Sequence, residues 1–267
     1  MIGRWQSDLL ASGAGPVAVR RALELLGSIM QRAAESGRIQ TNPVRIVRKA
    51  KLPKRPKVKP LAPVTIERMR APSNPRDATL ISVLAYAGLR PGEALGLRWG
   101  DLGERTILVQ RSISLGVAKA TKTNTSRSVR LLQPLARGLA EWRMRRGRPD
   151  DRKLIFPGHD GEPWSGPAYQ SWRRRAFRRA LNAADAEHAR PYDLRHSFAS
   201  LLIAERRNVI EVARQLGHSA TMTLNVYGHE NSELGEVPRQ SAEDAILDAR
   251  AAVAHQLRRA DGGEVAR

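Results

Sequence analysis

The stretch PYDLRHSFASLLIAERRNVIEVARQLGHSATMTLNVYGH, residues 191–229, decides how the rest of this chain is interpreted. Its apolar residues recur at helical spacing, so it predicts three short helices separated by turns. The first helix carries Arg195 close to its apolar face, where a buried guanidinium needs a partner anion. No acid at helical spacing on that face supplies one, which makes a phosphate a reasonable candidate. His218 in a Gly-His turn and Tyr227 near the end of the third segment complete the candidate chemical groups.

The charge balance of the chain indicates a polyanion as its partner. Lys and Arg number 46 against 26 Asp and Glu, which gives a formal net charge of +20 and a pI near 11.4. Nucleic acid is the commonest polyanion that neutralises such self-repulsion, and a membrane surface is the competing partner. The sequence has no apolar run of roughly 18 or more residues and no signal peptide. We therefore expect no membrane association and a cytoplasmic location.

Composition also limits the chemistry and the core. The chain has no Cys, which excludes a disulfide scaffold, a Cys-based zinc site and thiol catalysis. Hydrophobic residues make up 41% of the chain but aromatic residues only 4%. The core must therefore be filled mainly by Leu, Ile, Val and Ala.

The chain divides by pattern into four parts. Residues 1–47 contain one clear amphipathic helix, from Val17 to Ser36, and are too short to bury an apolar face alone. Residues 48–60 form a basic, proline-rich linker, residues 61–240 a large regular domain and residues 241–267 a helical tail. The linker is either a solvated hinge or a basic strap along a DNA backbone. We expect it to contact DNA through Lys49, Lys51, Lys54, Arg55 and Lys57.

The domain from residue 61 onward mixes two periodicities. Apolar residues at a period of two predict strands over Thr106–Ser114 and Ser126–Leu132, joined by a polar run and paired in a small antiparallel sheet. The fold class is therefore α+β, mainly α, preceded by a partial all-α segment. Helical spacing predicts the remaining elements: Thr65–Arg70, Asp77–Ala87, a helix from Pro91, Pro134–Arg146, Ala168–Ala184 and Ala242–Arg258.

The helix over Ala168–Ala184 has a strongly basic side. A basic helix face is usually just solvated, but here an apolar stripe around Trp172 leaves a cationic surface suited to phosphates. We expect Arg173 and Arg174 to contact DNA from this face.

Two further cations lie upstream in positions that allow more than one interpretation. Arg90 stands at a helix N-terminus, where the helix dipole prefers an anion, so it fits a site where an anion is jointly held. Pairing with Glu93 explains it equally well. Lys122 lies in the turn between the predicted strands, where most lysines are solvated, and Lys119 and Arg127 are its rivals for any role.

In this order and spacing, the motifs resemble the tyrosine recombinases, or phage-type integrases. Four segments carry the resemblance, which covers about Leu61 to His229. They are AGLRPGEAL with LRWGD around Arg90, TKT before SRSV around Lys122, DLRHSFA around Arg195, and LGHS with YGH around His218 and Tyr227.

The resemblance implies a chemistry and a set of partners. Tyr227 would attack the scissile phosphodiester and form a 3′-phosphotyrosyl link, Arg90 and Arg195 would clamp the phosphate oxygens, Lys122 would protonate the leaving 5′-oxygen, and His218 would donate to the phosphate. No metal and no other cofactor is expected. The implied partners are double-stranded DNA, a homotetramer on two paired sites, and an accessory DNA-bending or directionality factor. A partial core-binding segment would precede the catalytic domain.

One position departs from the family pattern. The family usually places a His three residues before the second arginine, as a proton acceptor, and here that position holds Tyr192. His196 is adjacent to Arg195, but on a helix it points about 100 degrees away. We expect Tyr192 to act as a hydrogen-bonding substitute.

The sequence therefore predicts a DNA recombinase that integrates or excises a mobile element. A relaxing topoisomerase-like activity would use the same residues. A degenerate, non-catalytic DNA-binding protein of the same origin is the main alternative, favoured by Tyr192 and the short N-terminal segment. A basic RNA-associated protein would explain the charge but not the ordered motifs.

Overall fold

A computed structural model describes residues 1–53, 59–114, 116–120, 126–186, 189–224 and 240–263. The chain forms two compact units, Met1–Lys57 and Val58–Arg267. Lys54, Arg55, Lys57, Lys122 and Tyr227 lie outside the described residues.

The first unit consists of two helices and an irregular segment. Helix α1 spans Ile2–Ala11 and helix α2 spans Pro16–Glu35, which begins with Pro at its first position, where no backbone donor is needed. The α1 segment had no strong pattern in the sequence, because a short helix displays too few apolar repeats to stand out. Asn42 ties the following segment to α2, since its side-chain amide donates to the Gly27 carbonyl at 2.9 Å.

The second unit is mainly helical, which confirms the predicted fold class. Its helices are α3 Pro63–Arg70, α4 Pro75–Tyr86, α5 Pro91–Leu95, α6 Gln133–Arg145, α7 Gly166–Trp172, α8 Arg178–Ala183, α9 Leu194–Ala204, α10 Val209–Leu216 and α11 Ala242–Gly263. A single-turn 3-10 helix covers Trp99–Asp101. Among the described residues, none of the helices combines the length and apolarity needed to cross a membrane.

The strands differ in detail from the sequence prediction. β1 (Thr106–Val109) pairs antiparallel with β4 (Arg127–Arg130), and β2 (Arg111–Ser114) pairs antiparallel with β3 (Val117–Ala120). The predicted strand over Thr106–Ser114 is thus two strands that break at Gln110, whose side chain donates to Asp101 at 2.9 Å. Lys119 belongs to β3 rather than to a polar loop, because the chain already turns back at Gly116, where φ is +82°.

The predicted helix over Ala168–Ala184 is also more complex than expected. It begins earlier, at Gly166, where the Ser165 hydroxyl caps it, and a π turn over Arg173–Phe177 separates α7 from α8. One extra residue in a helical turn does not alter the hydrophobic pattern enough to be read from sequence.

Helix α4 forms the centre of the core. It contacts α3, α6 and α9, and most of its residues from Asp77 onward are buried. Helix α11 packs on this same unit against α3, α6 and α9. Ile246, Ala249 and Val253 are buried as its apolar face predicts, whereas Leu257 is half exposed.

Candidate active site

Arg195 lies in the first turn of α9 and is buried, with only 1% of its surface exposed. Its Nη1 donates to the Gly88 carbonyl at 2.5 Å, while its Nε and Nη2 atoms have no hydrogen-bond partner among the described residues. Burial, together with the charges of Arg90 and Arg127, lowers its pKa to about 10. A buried guanidinium with two unpaired nitrogen atoms is costly for the fold and suits an incoming anion.

The Gly88 carbonyl can approach Arg195 because residue 88 has no side chain. Its φ is +60°, and a Cβ atom there would lie 2.5 Å from the ring of Phe198. Phe198 is on α9 one turn after Arg195. The glycine therefore lets α9 pack directly against the loop that leads to Arg90.

Arg90 is the N-cap residue of α5 and pairs with Glu93, which lies inside the helix. The Glu93 carboxylate accepts the Arg90 backbone N–H at 2.9 Å and its Nη1 at 2.8 Å. The structure thus contains the ion pair with Glu93, which was one of the two interpretations of Arg90 from sequence. The Arg90 side chain nevertheless remains 39% exposed, and its Nη2 contacts the Gly217 carbonyl at 3.3 Å.

Arg127 on β4 binds the same carboxylate from the other side. Its Nη1 and Nη2 donate to the two Glu93 oxygens at 3.0 and 2.7 Å, and its Nε donates to the Gln215 carbonyl at 2.9 Å. Burial by itself would raise the pKa of Glu93, but the hydrogen bonds and charge of Arg127 and the bonds from Arg90 bring it to about 2. Glu93 is therefore a carboxylate between two guanidinium groups.

His218 follows α10 directly. The helix ends at Gly217 in the left-handed conformation, with φ of +63°, and the His218 backbone N–H donates to the Ala213 carbonyl at 3.0 Å. Its Nδ1 atom is buried without a hydrogen-bond partner among the described residues. Burial lowers the pKa of His218 to about 4, and the charges of Arg195, Arg90, His196 and Arg127 add to this effect. The imidazole is therefore neutral at pH 7.

Tyr192 precedes α9 in a turn and is 39% exposed. Its ring meets the ring of His196 edge to face, with the ring centroids 6.4 Å apart. Burial lowers the pKa of His196, and its charge adds to the lowering of the His218 pKa.

The structure thus brings together Arg90, Arg195 and His218 and adds residues that the sequence did not select. From sequence, Glu93 was considered only as a partner of Arg90, and Arg127 only as an alternative to Lys122. The alternation around Val129 indicated that residue 127 lies on a strand, but only the folded chain shows which carboxylate it meets.

Among the described residues, those expected to contact DNA lie outside the cluster formed by Arg90, Arg195 and His218. Lys49 and Lys51 are exposed in the first unit. Arg173 and Arg174 are exposed along a groove of about 450 Å³, which Arg178, Asn182 and Arg190 also line. In the described ranges, no group of three His, Asp or Glu side chains is arranged to hold a metal ion.

This arrangement is suited to binding an oxyanion and stabilising added negative charge on it. Guanidinium groups bind phosphate oxygens by charge-assisted hydrogen bonds, and donors already held in a water-poor site stabilise charge that develops in a transition state. A neutral imidazole adds a further donor without increasing the repulsion among the arginines.

Comparison with known proteins defines the family to which this chain belongs. The phage integrase family matches residues 61–233, so the chain belongs to the phage integrase family. The relatives with the most similar sequences are named tyrosine recombinases and integrases.

Among curated relatives, the tyrosine recombinase XerC of Mesorhizobium japonicum is 34% identical over 61% of this chain and 49% of its own length. XerC of Xanthomonas axonopodis pv. citri is 30% identical over 81% of this chain and 68% of its own length. The prophage integrase IntR of Escherichia coli K12 is 29% identical over 77% of this chain and 56% of its own length. The chain therefore spans about half to two thirds of the curated relatives that it matches.

Solved structures show the same fold. The Tn1549 transposon integrase in complex with a circular intermediate DNA matches with a TM-score of 0.70 at 18% identity, over 88% of this chain and 84% of that one. A lambda integrase dimer bound to a COC′ core site matches with a TM-score of 0.62 at 17% identity, over 90% of this chain and 65% of that one.

Proposed function

We propose that this chain is a site-specific DNA recombinase that cleaves and rejoins DNA strands through a 3′-phosphotyrosyl intermediate. The observation that carries the proposal is Arg195, a buried guanidinium with two unpaired nitrogen atoms beside Arg90 and a neutral His218. Membership of the phage integrase family and the names of its relatives support the same activity.

The chemical step assigns one role to each residue. The Tyr227 phenolic oxygen forms a bond to the scissile phosphorus as its proton passes to solvent water, and the bond from phosphorus to the 5′-oxygen breaks. Lys122 gives a proton to the leaving 5′-oxygen, which departs as a hydroxyl. Arg90 and Arg195 bind the non-bridging oxygens, where their charge offsets the negative charge that develops. The phosphotyrosyl bond conserves the energy needed to join a new strand.

The proton on Tyr227 needs an acceptor, because the ordinary pKa of a tyrosine is about 10. We propose that Tyr192 takes part as a hydrogen-bonding group at the position where the family usually has His. If so, Tyr192→Phe slows cleavage and Tyr192→His accelerates it relative to the parent chain. Rates of covalent cleavage measured on one substrate test this, and an unchanged Phe variant would remove Tyr192 from the mechanism.

The biological setting is also a proposal. One relative is named a prophage integrase, and the matched structures include a transposon integrase on circular intermediate DNA and a lambda integrase tetramer on a Holliday junction. We propose that this chain likewise acts on double-stranded DNA as a homotetramer on two paired sites, in the cytoplasm, to integrate or excise a mobile element, with an accessory DNA-bending or directionality factor.

DNA contacts outside the reaction centre follow from charge. We propose that Arg173 and Arg174 bind phosphates from the groove beside α8, and that the basic segment with Lys49, Lys51, Lys54, Arg55 and Lys57 lies along the backbone. Such contacts strengthen binding in a salt-dependent way without selecting a sequence. In this proposal, residues 1–47 are the core-binding segment and residues 48–60 the strap. Residues 61–240 are the catalytic domain and residues 241–267 the tail.

A covalent-adduct assay tests the enzyme directly. The parent chain is incubated with nicked DNA that carries its core site, the reaction is stopped with SDS, and protein–DNA adducts are separated by electrophoresis. An SDS-resistant adduct that disappears in Tyr227→Phe supports the recombinase. Salt-sensitive binding without any adduct supports instead a non-catalytic DNA-binding protein, the alternative favoured by a tyrosine at position 192.

A further inference from the structure

Arg127 lies where three parts of the candidate site meet. It belongs to β4, it binds Glu93 of α5 with both terminal nitrogen atoms, and it binds the Gln215 carbonyl at the end of α10 with Nε. Its side chain is only 11% exposed. No other described arginine joins α5 to the turn that carries His218 by hydrogen bonds from all three of its nitrogen atoms.

The hydrogen bonds of Arg127 differ from those of the phosphate-binding candidates. Each of its three guanidinium nitrogen atoms already has a protein acceptor, whereas two of the three in Arg195 have none in the part of the chain that the structure describes. In the protein without DNA, the guanidinium of Arg127 is therefore already hydrogen-bonded to protein groups through each nitrogen atom. Its position suits holding other groups in place rather than binding DNA.

The carboxylate of Glu93 links Arg127 to Arg90. The two arginines share it. Arg127 donates one hydrogen bond to each oxygen, and the Arg90 side chain donates one to Oε1. If Arg127 were absent, Oε2 would keep only the Arg90 backbone N–H and could accept a second bond from the Arg90 guanidinium, since a carboxylate prefers the two-pronged contact with one guanidinium. Arg127 thus keeps Glu93 from binding Arg90 completely and leaves part of the Arg90 guanidinium for a phosphate.

The stem of Arg127 also sets the position of the His218 turn. A Cβ atom at Gly217 would lie 3.1 Å from the Arg127 Cδ and 3.3 Å from its Nε. The backbone of the turn therefore rests directly on the arginine stem, and the Gln215 carbonyl is held by the Nε hydrogen bond. A movement of Arg127 would shift both His218 and the Gly217 carbonyl that Arg90 contacts.

We propose that Arg127 is a positioning residue for strand cleavage, acting on Arg90 through Glu93 and on His218 through the end of α10. The inference rests on the proposed function, because it assigns a task within the same reaction. A lysine in its place keeps the charge but has a single nitrogen, which cannot span two carboxylate oxygens and a carbonyl together.

The chain offers a matched control on the same strand. Arg130 also lies on β4 and donates to a carboxylate with two hydrogen bonds, but that carboxylate belongs to Glu205, whose hydrogen bonds among the described residues come from Arg130 and Arg207 and not from Arg90 or His218. Replacing Arg130 tests what the loss of a buried ion pair at β4 does by itself.

The experiment compares Arg127→Gln and Arg127→Lys with Arg130→Gln and Arg130→Lys, using the full chain. The rate of adduct formation on nicked core-site DNA and the DNA affinity are measured for each variant. We expect Arg127→Gln to slow adduct formation about 100-fold, the typical effect of a small displacement of reacting groups. Arg127→Lys restores only part of the rate, DNA affinity changes by less than about threefold, and both Arg130 variants retain the parent rate.

A second readout does not depend on activity. The His218 ring is titrated by NMR in the DNA-free protein, where its pKa is lowered partly by Arg127. Arg127→Gln raises that pKa, because a nearby positive charge is lost and the turn relaxes, whereas the Arg130 variants leave it unchanged. If Arg127→Gln does not fold, Arg127→Lys is judged by its cleavage rate and by its His218 pKa. Because lysine keeps the charge, a pKa change in that variant reports relaxation of the turn.

The outcomes separate this proposal from the proposed function. A parent chain that forms no adduct would contradict the recombinase, and the His218 titration would still decide whether Arg127 positions the turn. Parent-like cleavage and an unmoved His218 titration in the folded Arg127 variants would overturn the positioning role. Equal rate losses in the Arg127 and Arg130 variants would also overturn it, since they would reduce the effect to general stability.

Discussion

The two ends of strand β4 carry the same side chain in opposite electrostatic surroundings. At one end, Arg127 meets Glu93 in a cluster where three arginines, with Arg90 and Arg195, surround the one carboxylate found there among the described residues. At the other end, Arg130 binds Glu205 at 2.8 and 2.9 Å and Glu243 at 3.3 Å. Glu205 also binds Arg207, which pairs in turn with Glu211.

The difference separates a structural ion network from a site prepared for a ligand. Among the residues that the structure describes, the Arg130 end contains three carboxylates for two guanidinium groups, so each cation has a partner. Within the same described ranges, the Arg127 end contains one carboxylate for three guanidinium groups, and two nitrogen atoms of Arg195 are buried and unpaired. At the Arg127 end, burying these cations costs electrostatic free energy, which the binding of a phosphate would offset.

The largest expected effect comes from replacing Arg195 with an apolar side chain. Arg195→Met should lower adduct formation by about 10²- to 10³-fold, the usual effect of removing a donor that stabilises transition-state charge. Its melting temperature should not fall, because an apolar side chain removes a buried charge with unpaired donors. Both are measured on the full chain, by adduct assay and thermal unfolding.

Arg130→Met provides the contrast for that experiment. It leaves the buried Glu205 with fewer partners and should lower the melting temperature. A greater loss of stability in Arg195→Met than in Arg130→Met would contradict the distinction between the two ends of β4.

The next largest effect concerns the carboxylates. Glu93→Gln removes the one negative charge among three arginines, and we expect the free energy of unfolding to fall by about 3 kcal/mol or more, as when a buried ion pair loses one partner. Glu205→Gln should cost less, because Glu243 and Glu211 remain beside Arg130 and Arg207. Urea unfolding at pH 7 measures both, and equal losses would show that the surplus of cations has no energetic consequence.

The smallest expected effect is a pH dependence. The pKa of His218 falls from its ordinary 6.5 to about 4 in the folded chain, through burial and the surrounding Arg195, Arg90, His196 and Arg127. Between these two values the unfolded chain binds a proton that the folded chain does not, so stability decreases as the pH falls from 6.5 to 4.

We expect His218→Gln to flatten this dependence. Thermal unfolding across the window measures it, with His159→Gln as the control, since His159 is exposed and outside the cluster. A parent-like slope in His218→Gln would assign the pH dependence to other groups, of which His196 is the first candidate because its pKa is lowered as well.

Much of the fold was predictable because it depends on local pattern. Helical spacing gave α2 and α4 to within one or two residues at most ends, and proline marked the start of α5. The burial of Arg195 followed from its place beside the apolar face of α9. The division of the strands at Gln110 was not predictable, because it follows from a hydrogen bond to Asp101 of the preceding turn.

The site was predictable only as far as its motifs are local. Arg90, Arg195 and His218 stand in recognisable segments, and the structure brings them together. Their roles stay predictions, as do those of Lys122 and Tyr227. The partner of Arg127 lies 34 residues away on α5, and Arg90 meets a carbonyl 127 residues away. Neither contact leaves a trace in periodicity, since a charged side chain of intermediate burial occupies a strand or helix position without disturbing its pattern.

The sequence by itself determined that this is a basic, mainly helical protein of the phage integrase type, with the order of its arginines, histidine and tyrosine. Only the tertiary structure decided which of its many arginines are neutralised and which are not. The reason is physical: composition counts charges, but the energy of a guanidinium depends on the carboxylates and carbonyls that folding brings within hydrogen-bonding distance. At one end of β4 folding supplies them in excess, and at the other it leaves two nitrogen atoms of Arg195 without a partner among the described residues.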